Sequence, residues 1–378
     1  MAFLASGCGT EPECRADDPT CFERSLPGLL WFSTCQWKAP CLNRTVDAPA
    51  LNVARDSSLY ADCQRINIAH GDSSTSALRF LRSNDGGANW FITNVETGAD
   101  LGYASNVLSI GETVYVSHFD ANTADLRFGI SFNMGKDWAT VQVNSPLDDV
   151  TTDTGLAVRG GDIWLSTGIS GLVLFRSSDN GATWTQISGD SNTGSGFETE
   201  LIIEGDAIFV VSRDDPNQDL YFTRSFDYGQ SWESILIEGA GNVGRYPTIV
   251  RMQNALFVAY YDASNTRYRL ARSYDQGATW ELSTIDSAAD VGAYGRLTTD
   301  GSSLFAAYSD QTNGALKLAR SLDQGSTWQT MVLDSGPNVG TDIGLSLAGP
   351  ALYVSHRNAA NQTLKMSSGS QGESCFFP

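Results

Sequence analysis

Apolar residues along this 378-residue chain come in short runs rich in β-branched and aromatic side chains, and no stretch shows the spacing of an amphipathic helix. Each run is bounded by Gly, Asn, Asp or Ser, the residues that favour turns. The pattern is clearest between positions 248 and 285. Thr248-Ile249-Val250-Arg251, Ala255-Leu256-Phe257-Val258-Ala259-Tyr260, Tyr268-Arg269-Leu270-Ala271 and Trp280-Glu281-Leu282-Ser283-Thr284-Ile285 predict four consecutive strands, called a to d. Similar runs before and after predict an all-β chain.

The strands belong to a repeat. The pattern Ser-x-Asp-x-Gly-x-x-Trp starts at Ser83, Ser131, Ser177, Ser225, Ser273 and Ser321, in steps of 48, 46, 48, 48 and 48 residues. A period of that size means stacked supersecondary units. Asp85, Asp179, Asp227, Asp275 and Asp323 hold the acidic place, Asn133 replaces it in the second copy, and Trp90, Trp138, Trp184, Trp232, Trp280 and Trp328 end the six copies. Ser and Asp side chains bond a turn's own amides, Gly accepts positive φ, and Trp is expected to wedge between neighbouring sheets. The Ser and Asp places are therefore structural, and the turn is expected between strands c and d.

This motif resembles the Asp-box, or bacterial neuraminidase repeat, of sialidase-like β-propellers, from about residue 47 onward. Arg176-Ser177, Arg224-Ser225, Arg272-Ser273 and Arg320-Ser321 match even the arginine that often precedes it. The resemblance implies four-stranded antiparallel blades arranged radially. A decayed seventh copy follows the sixth: Val339-Gly340 matches Val291-Gly292, and Ser368, Ser370, Gly372 and Cys375 stand in the Ser, Asp, Gly and Trp places. The expectation is a seven-bladed propeller over 47–378, closed by an N-terminal segment, with Leu29-Leu30-Trp31-Phe32 as the apolar run that supplies the missing outer strand. Six blades, as in true sialidases, is the alternative count.

Charge and cysteines narrow the class. A net charge of -19 argues against a phosphate-binding surface, so neither nucleic acid nor an anionic membrane is an expected partner. Cysteines stand at 8, 14, 21, 35, 41, 63 and 375, mostly in the segment 1–46. The opening Met1-Ala2-Phe3-Leu4-Ala5-Ser6-Gly7-Cys8 resembles the end of a lipoprotein signal, with Cys8 as the lipidated residue and the only tie to a membrane. Cys14, Cys21, Cys35, Cys41, Cys63 and Cys375 would then form three disulfides in an oxidising, extracytoplasmic compartment, with Cys375 bonded to the N-terminal segment. None has the spacing of a zinc or redox motif, and no cofactor motif is present. Asp215-Pro216-Asn217-Gln218-Asp219 starts like a calcium loop, but Leu220 and Phe226 stand where Gly and Glu belong.

In an antiparallel meander the b–c loops and the d–a connections share the face opposite the Asp-box turns, and propeller ligands are expected there. Aligned strand-b ends put all three histidines, His70, His118 and His356, at one repeat position, with Tyr260 and Tyr308 in the same place on other blades. Two residues on come Asp72, Asp120, Asp262 and Asp310. One reading is a polar ring around the channel mouth. The other is a half-buried structural position, with each Asp capping its own turn. A three-histidine metal site is possible in kind, but equivalent residues on adjacent blades stand far apart for one ion, so no metal is assigned. Arg213, Arg245, Tyr246 and Tyr294 join the candidates from the same face, with Arg296 and Arg357 nearby.

The expected function is a non-catalytic propeller binding a glycan or a protein through this face. The resemblance also offers a sialidase-like glycoside hydrolase, with three arginines, a Tyr–Glu nucleophile and an Asp acid/base. However, the family's Arg-Ile-Pro string is absent, and its nearest substitute, Arg65-Ile66-Asn67, falls in strand b. A scaffold like the seven-bladed factors that assemble photosynthetic complexes is the third possibility.

Overall fold

A computed structural model describes residues 41–47, 53–98, 101–143, 154–168, 171–189, 196–370 and 376–377. These form seven four-stranded antiparallel sheets. The predicted repeat maps onto them blade by blade. In blade 5, strands a to d run Arg245–Met252, Ala255–Asp262, Arg267–Ser273 and Glu281–Asp286. Only strand a begins appreciably earlier than predicted, because a bulge extends it.

The innermost strands are Val53–Ala61, Leu101–Ile110, Thr154–Arg159, Gly196–Glu204, Arg245–Met252, Val291–Thr299 and Val339–Ala348, in blades 1 to 7. Each contacts the innermost strands of both neighbours, and that of blade 7 returns to blade 1, so the ring is closed. Blade 7 is built from Val339–Ala348, Ala351–Asn358 and Thr363–Ser370, completed on the outside by Leu42–Asp47 from the other end of the chain. Leu42 lies opposite Ser368 and Arg44 opposite Met366. An N-terminal segment thus closes the ring, but the closing strand is Leu42–Asp47; the apolar run at 29–32 lies outside the described residues.

Hydrophobic cores lie between blades. Phe257 and Leu270 of blade 5, for example, share a cluster with Leu297, Ala306 and Tyr308 of blade 6. A single blade exposes both faces of its sheet, so it depends on neighbours to cover them.

The Ser-x-Asp-x-Gly turns fasten these seams. In the fifth copy Ser273 accepts from Gly277 N–H at 2.8 Å, and Asp275 accepts from Thr279 N–H at 2.9 Å and from the Thr279 hydroxyl at 2.6 Å. Those bonds hold the Asp275 carboxyl down at about 2. Gly277 has φ +87°, and a Cβ there would stand 2.1 Å from Phe222 of blade 4. Trp280 packs edge-on against the same ring at 5.1 Å, and Trp138 and Trp184 repeat the contact on Phe80 and Phe128. The second copy departs from the pattern for a local reason. Its position 137 is Asp where other copies carry Thr, Ser or Asn. Asn133 therefore supplies an amide that donates to the Asp137 carboxylate at 2.7 Å.

Of Cys14, Cys21, Cys35, Cys41, Cys63 and Cys375, only Cys41 and Cys63 are described, and both are disulfide-bonded. The ladder between Leu42–Asp47 and Thr363–Ser370 closes the ring by backbone hydrogen bonds, and the expected tie at Cys375 lies outside the described residues. Cys8 also lies outside the described residues.

Candidate functional site

The two faces divide as antiparallel connectivity requires. On one, the c–d turns bond the a–b turns: Met134 N–H donates to Glu112 O at 2.9 Å, and Tyr228 N–H to Asp206 O at 2.9 Å. On the other, the d–a connections bond the b–c loops, as in Gly98 N–H to Ser76 O at 2.8 Å and Gln311 N–H to Asp290 O at 2.8 Å. Each innermost strand starts at this second face.

Just inside that start, six described innermost strands carry the same defect. Asp56, Ala104, Glu198, Tyr246, Tyr294 and Asp342 have φ between 45° and 56°, the left-handed region that non-glycine residues avoid. At each the a–b register slips. A bulge re-aims one side chain while leaving the strand paired on either side. All six residues line one cavity of about 110 Å³ at the axis, together with Asn106, Thr154, Glu200 and Arg296 one strand step further in.

The cavity is polar and partly aromatic. Tyr246 and Tyr294 sit side by side, ring centroids 4.8 Å apart at 32°. Arg245 lies over the Tyr246 ring at 5.3 Å and approaches Glu198 at 3.5 Å. Glu198 also accepts from the Tyr246 N–H. Across the mouth, Asp342 accepts from Asp56 N–H at 3.2 Å and lies 4.0 Å from Arg357. Burial raises the Glu198 and Asp342 carboxyls above the ordinary range. It pushes Glu200 up to about 7, against the pull of Arg296 and the Ile249 N–H. The Tyr246 phenol is raised by burial, then by Tyr294 and Glu198.

Of the sequence candidates, Arg245, Tyr246 and Tyr294 gather at this mouth. Arg213 stands close behind, bonded to Asp215 and, at 3.2 Å, to Asn242. The histidines and the two strand-b tyrosines do not line the cavity. They are fully buried in the seams, each facing a carboxylate from the outermost strand of the preceding blade. His70 meets Asp47 at 3.0 Å, His118 meets Glu96 at 3.3 Å and His356 meets Asp334 at 2.9 Å. Tyr260 donates to Glu238, and Tyr308 to Asp286 at 2.7 Å. The same carboxylates take a cation from strand c of the following blade: Arg79, Arg127, Lys365, Arg269 and Lys317 respectively. These five latches cross five seams. Burial pushes Asp334 up, but its bonds to His356 and Lys365 outweigh that and hold it well below the ordinary range.

The loop aspartates cap their own b–c turns. Asp72 accepts from Ser74 N–H at 2.9 Å, Asp120 from Asn122 N–H at 3.0 Å, Asp262 from Asn265 N–H at 3.0 Å and Asp310 from Asn313 N–H at 2.9 Å. Among the described residues no group of three or more His, Cys, Asp or Glu side chains could hold a metal ion. Sequence reasoning missed Asp56, Glu198, Glu200 and Asp342. Aligning the starts of strand a at the repeat step, as was done for strand b, would have placed 56, 104, 198, 246, 294 and 342 at one position.

Fold and cavity together define a seven-bladed β-propeller with a polar axial site. No family model matches the chain, and no curated protein matches it. Solved structures do. YCF48 bound to D1 peptide superposes with a TM-score of 0.58 at 15% identity, over 89% of this chain and 97% of that one. A Hadza microbial sialidase gives 0.51 at 13% identity, over 81% and 76%. Trypanosoma rangeli sialidase gives 0.52 at 14%, over 85% of this chain and 60% of that one. At these identities the likeness establishes the propeller fold.

Proposed function

We propose that the protein is an extracytoplasmic Asp-box propeller that binds a glycan at the axial mouth without chemistry on it. The observation that carries this reading is the ring of bulged residues, which turns one side chain from each of six blades into one polar cavity. Hydroxyl-rich ligands are held by convergent carboxylates, guanidinium forks and an aromatic wall, and Glu198, Arg296 and the Tyr246–Tyr294 pair supply all three. The sialidase and YCF48 likenesses fit a propeller that presents its loops to a ligand, and a concave cavity suits a sugar better than an extended partner surface.

The hydrolase reading would need Tyr246 activated by an adjacent base, and Glu198, which accepts from the Tyr246 N–H, is the candidate for that role. A glycan array paired with fluorogenic sialosides and other glycosides tests the proposal: array binding with no sugar release is expected, and sugar release would overturn it. Tyr246→Ala should weaken binding by about tenfold or more, with the melting temperature little changed. Undiminished binding would move the site elsewhere.

A further inference from the structure

The b–c turns act as controls for one another. In blades 1, 2, 4, 5 and 6 an Asp ends strand b and stands opposite the residue that opens strand c. In blade 5 that residue is Arg267, which donates to Asp262 at 2.8 Å. In blade 1 Arg79, two places further along strand c, donates to Asp72 at 3.2 Å. Blade 2 sets Asp120 opposite Asp125, and there the Gln142 side-chain amide from strand d donates to Asp125 at 2.9 Å.

Blade 4 has no such partner. Asp214 ends its strand b and stands opposite Asp219, the first residue of strand c. Asp72, Asp120, Asp262 and Asp310 each accept a loop N–H, but after Asp214 comes Pro216, which has none to give, at the place from which Ser74 and Asn122 donate. Asp214 keeps one bond, from the Asn217 side-chain amide to Oδ2 at 2.7 Å. It is 3% exposed, and its Oδ1 is wholly buried with no hydrogen-bond partner. A buried carboxylate oxygen left so is costly. Asp219 lies against Gly239, where an added Cβ would stand 3.2 Å from its Oδ1. Burial and then the Asp214 charge raise the Asp219 carboxyl, and no cation opposes them. The neighbouring Arg213 is bonded instead to Asp215 and Asn242.

We propose that the b–c turn of blade 4 binds a calcium ion between Asp214 and Asp219. The donors are oxygens, two carboxylates and the Asn217 carbonyl, with loop carbonyls and water to complete the shell, and such a set selects a hard cation. Calcium tolerates the irregular shell that a hairpin offers, whereas magnesium demands a near-ideal octahedron. Two carboxylates are fewer than the groups of three excluded above, so the affinity is that of a weak extracellular site, about 10⁻⁴ to 10⁻³ M. The ion takes the role that Arg267 plays in blade 5. It sits across a hairpin, unlike the calcium loop that Asp215–Asp219 imitates and that Leu220 and Phe226 rule out. Its effect reaches the mouth, because Gln218 O accepts from Val243 N–H at 3.0 Å in the connection that leads to Arg245 and Tyr246. The inference does not depend on which ligand the mouth receives.

The test is thermal melting and calorimetric titration of the chelator-stripped full chain with calcium chloride, and with magnesium chloride for comparison. Millimolar calcium should raise the melting temperature by about 2 °C or more and titrate as a single site, with magnesium weaker. Asp219→Asn should abolish the response. Asp219→Arg, which copies blade 5, should melt like the calcium-loaded parent and ignore added calcium; if it does not fold, Asp219→Asn carries the comparison. Neither stabilisation nor binding heat in the parent overturns the inference, and so does an equal response to magnesium. A calcium response that survives substitution of Asp219 reflects the diffuse net charge of -19 and also overturns it.

Discussion

Two rings of repeat-equivalent residues run around this propeller. The seam ring uses His70, His118, Tyr260, Tyr308 and His356, each closed by a carboxylate and a cation across a blade boundary. The mouth ring uses Asp56, Ala104, Glu198, Tyr246, Tyr294 and Asp342. At five of the seven seams this position is His or Tyr with a carboxylate and a cation as partners, whereas Thr167 and Ser212 hold it in blades 3 and 4. At the mouth the backbone distortion is shared, while the side chains range over Asp, Ala, Glu and Tyr. A repeat position with constant partners reads as architecture, and one with a constant backbone and varied chemistry reads as a site.

The most direct way to break the seam ring is Asp47→Ala. Asp47 lies on the closing strand and holds both His70 and Arg79 of blade 1. Removing it leaves the buried His70 Nε2 without its acceptor and Arg79 with Asp72 alone, which should cost about 1–3 kcal/mol in denaturant unfolding. A cost under about 1 kcal/mol would demote the latch to incidental contact. Gly277→Ala attacks the blade 4–5 seam from its turn: the φ of +87° and the 2.1 Å approach to Phe222 predict a loss of about 2–3 kcal/mol. A thermal melt within a degree of the parent would show that the seam tolerates overpacking.

The mouth ring should behave oppositely. Glu200 is raised from 4.5 to about 7, so the buried neutral acid favours the fold at low pH, and that contribution is lost as pH rises through 7. Glu200→Gln should therefore melt like the parent near pH 5 and gain on the order of 2 kcal/mol near pH 9. A gain that is the same at both pH values would show that the carboxyl is not strained. The seam carboxylates slope the other way. Asp334 is held below the ordinary range, so its contribution is present above about pH 4 and lost as pH falls below that. The smallest effect is expected at the second turn, where Asn133→Asp sets two carboxylates against each other and should cost a few tenths of a kcal/mol. Adding Asp137→Thr, the arrangement of the third, fifth and sixth copies, should restore it; a double-mutant cycle with no coupling would remove the explanation.

Much of this was legible in the chain. The six Trp-ended turns and their spacing announced blades, and the decayed copy after the sixth announced the seventh. The histidine alignment was also correct as an alignment, but it could not tell seam from channel. Both lie at one end of a strand, and only the neighbouring blade's Asp47, Glu96 or Asp334, far away in sequence, decides which way the imidazole is satisfied. The mouth acids escaped notice because no residue type marks the bulge: Asp, Ala, Glu and Tyr all adopt it.

The sequence by itself determined the repeat, its turn chemistry and the radial fold, because these depend on contacts within about fifty residues that each copy restates. The tertiary structure alone decided which strand closes the ring, which polar residues are consumed at the seams and which are left facing the axis. Those outcomes depend on groups brought together only when the last blade meets the first, and no local pattern encodes that meeting.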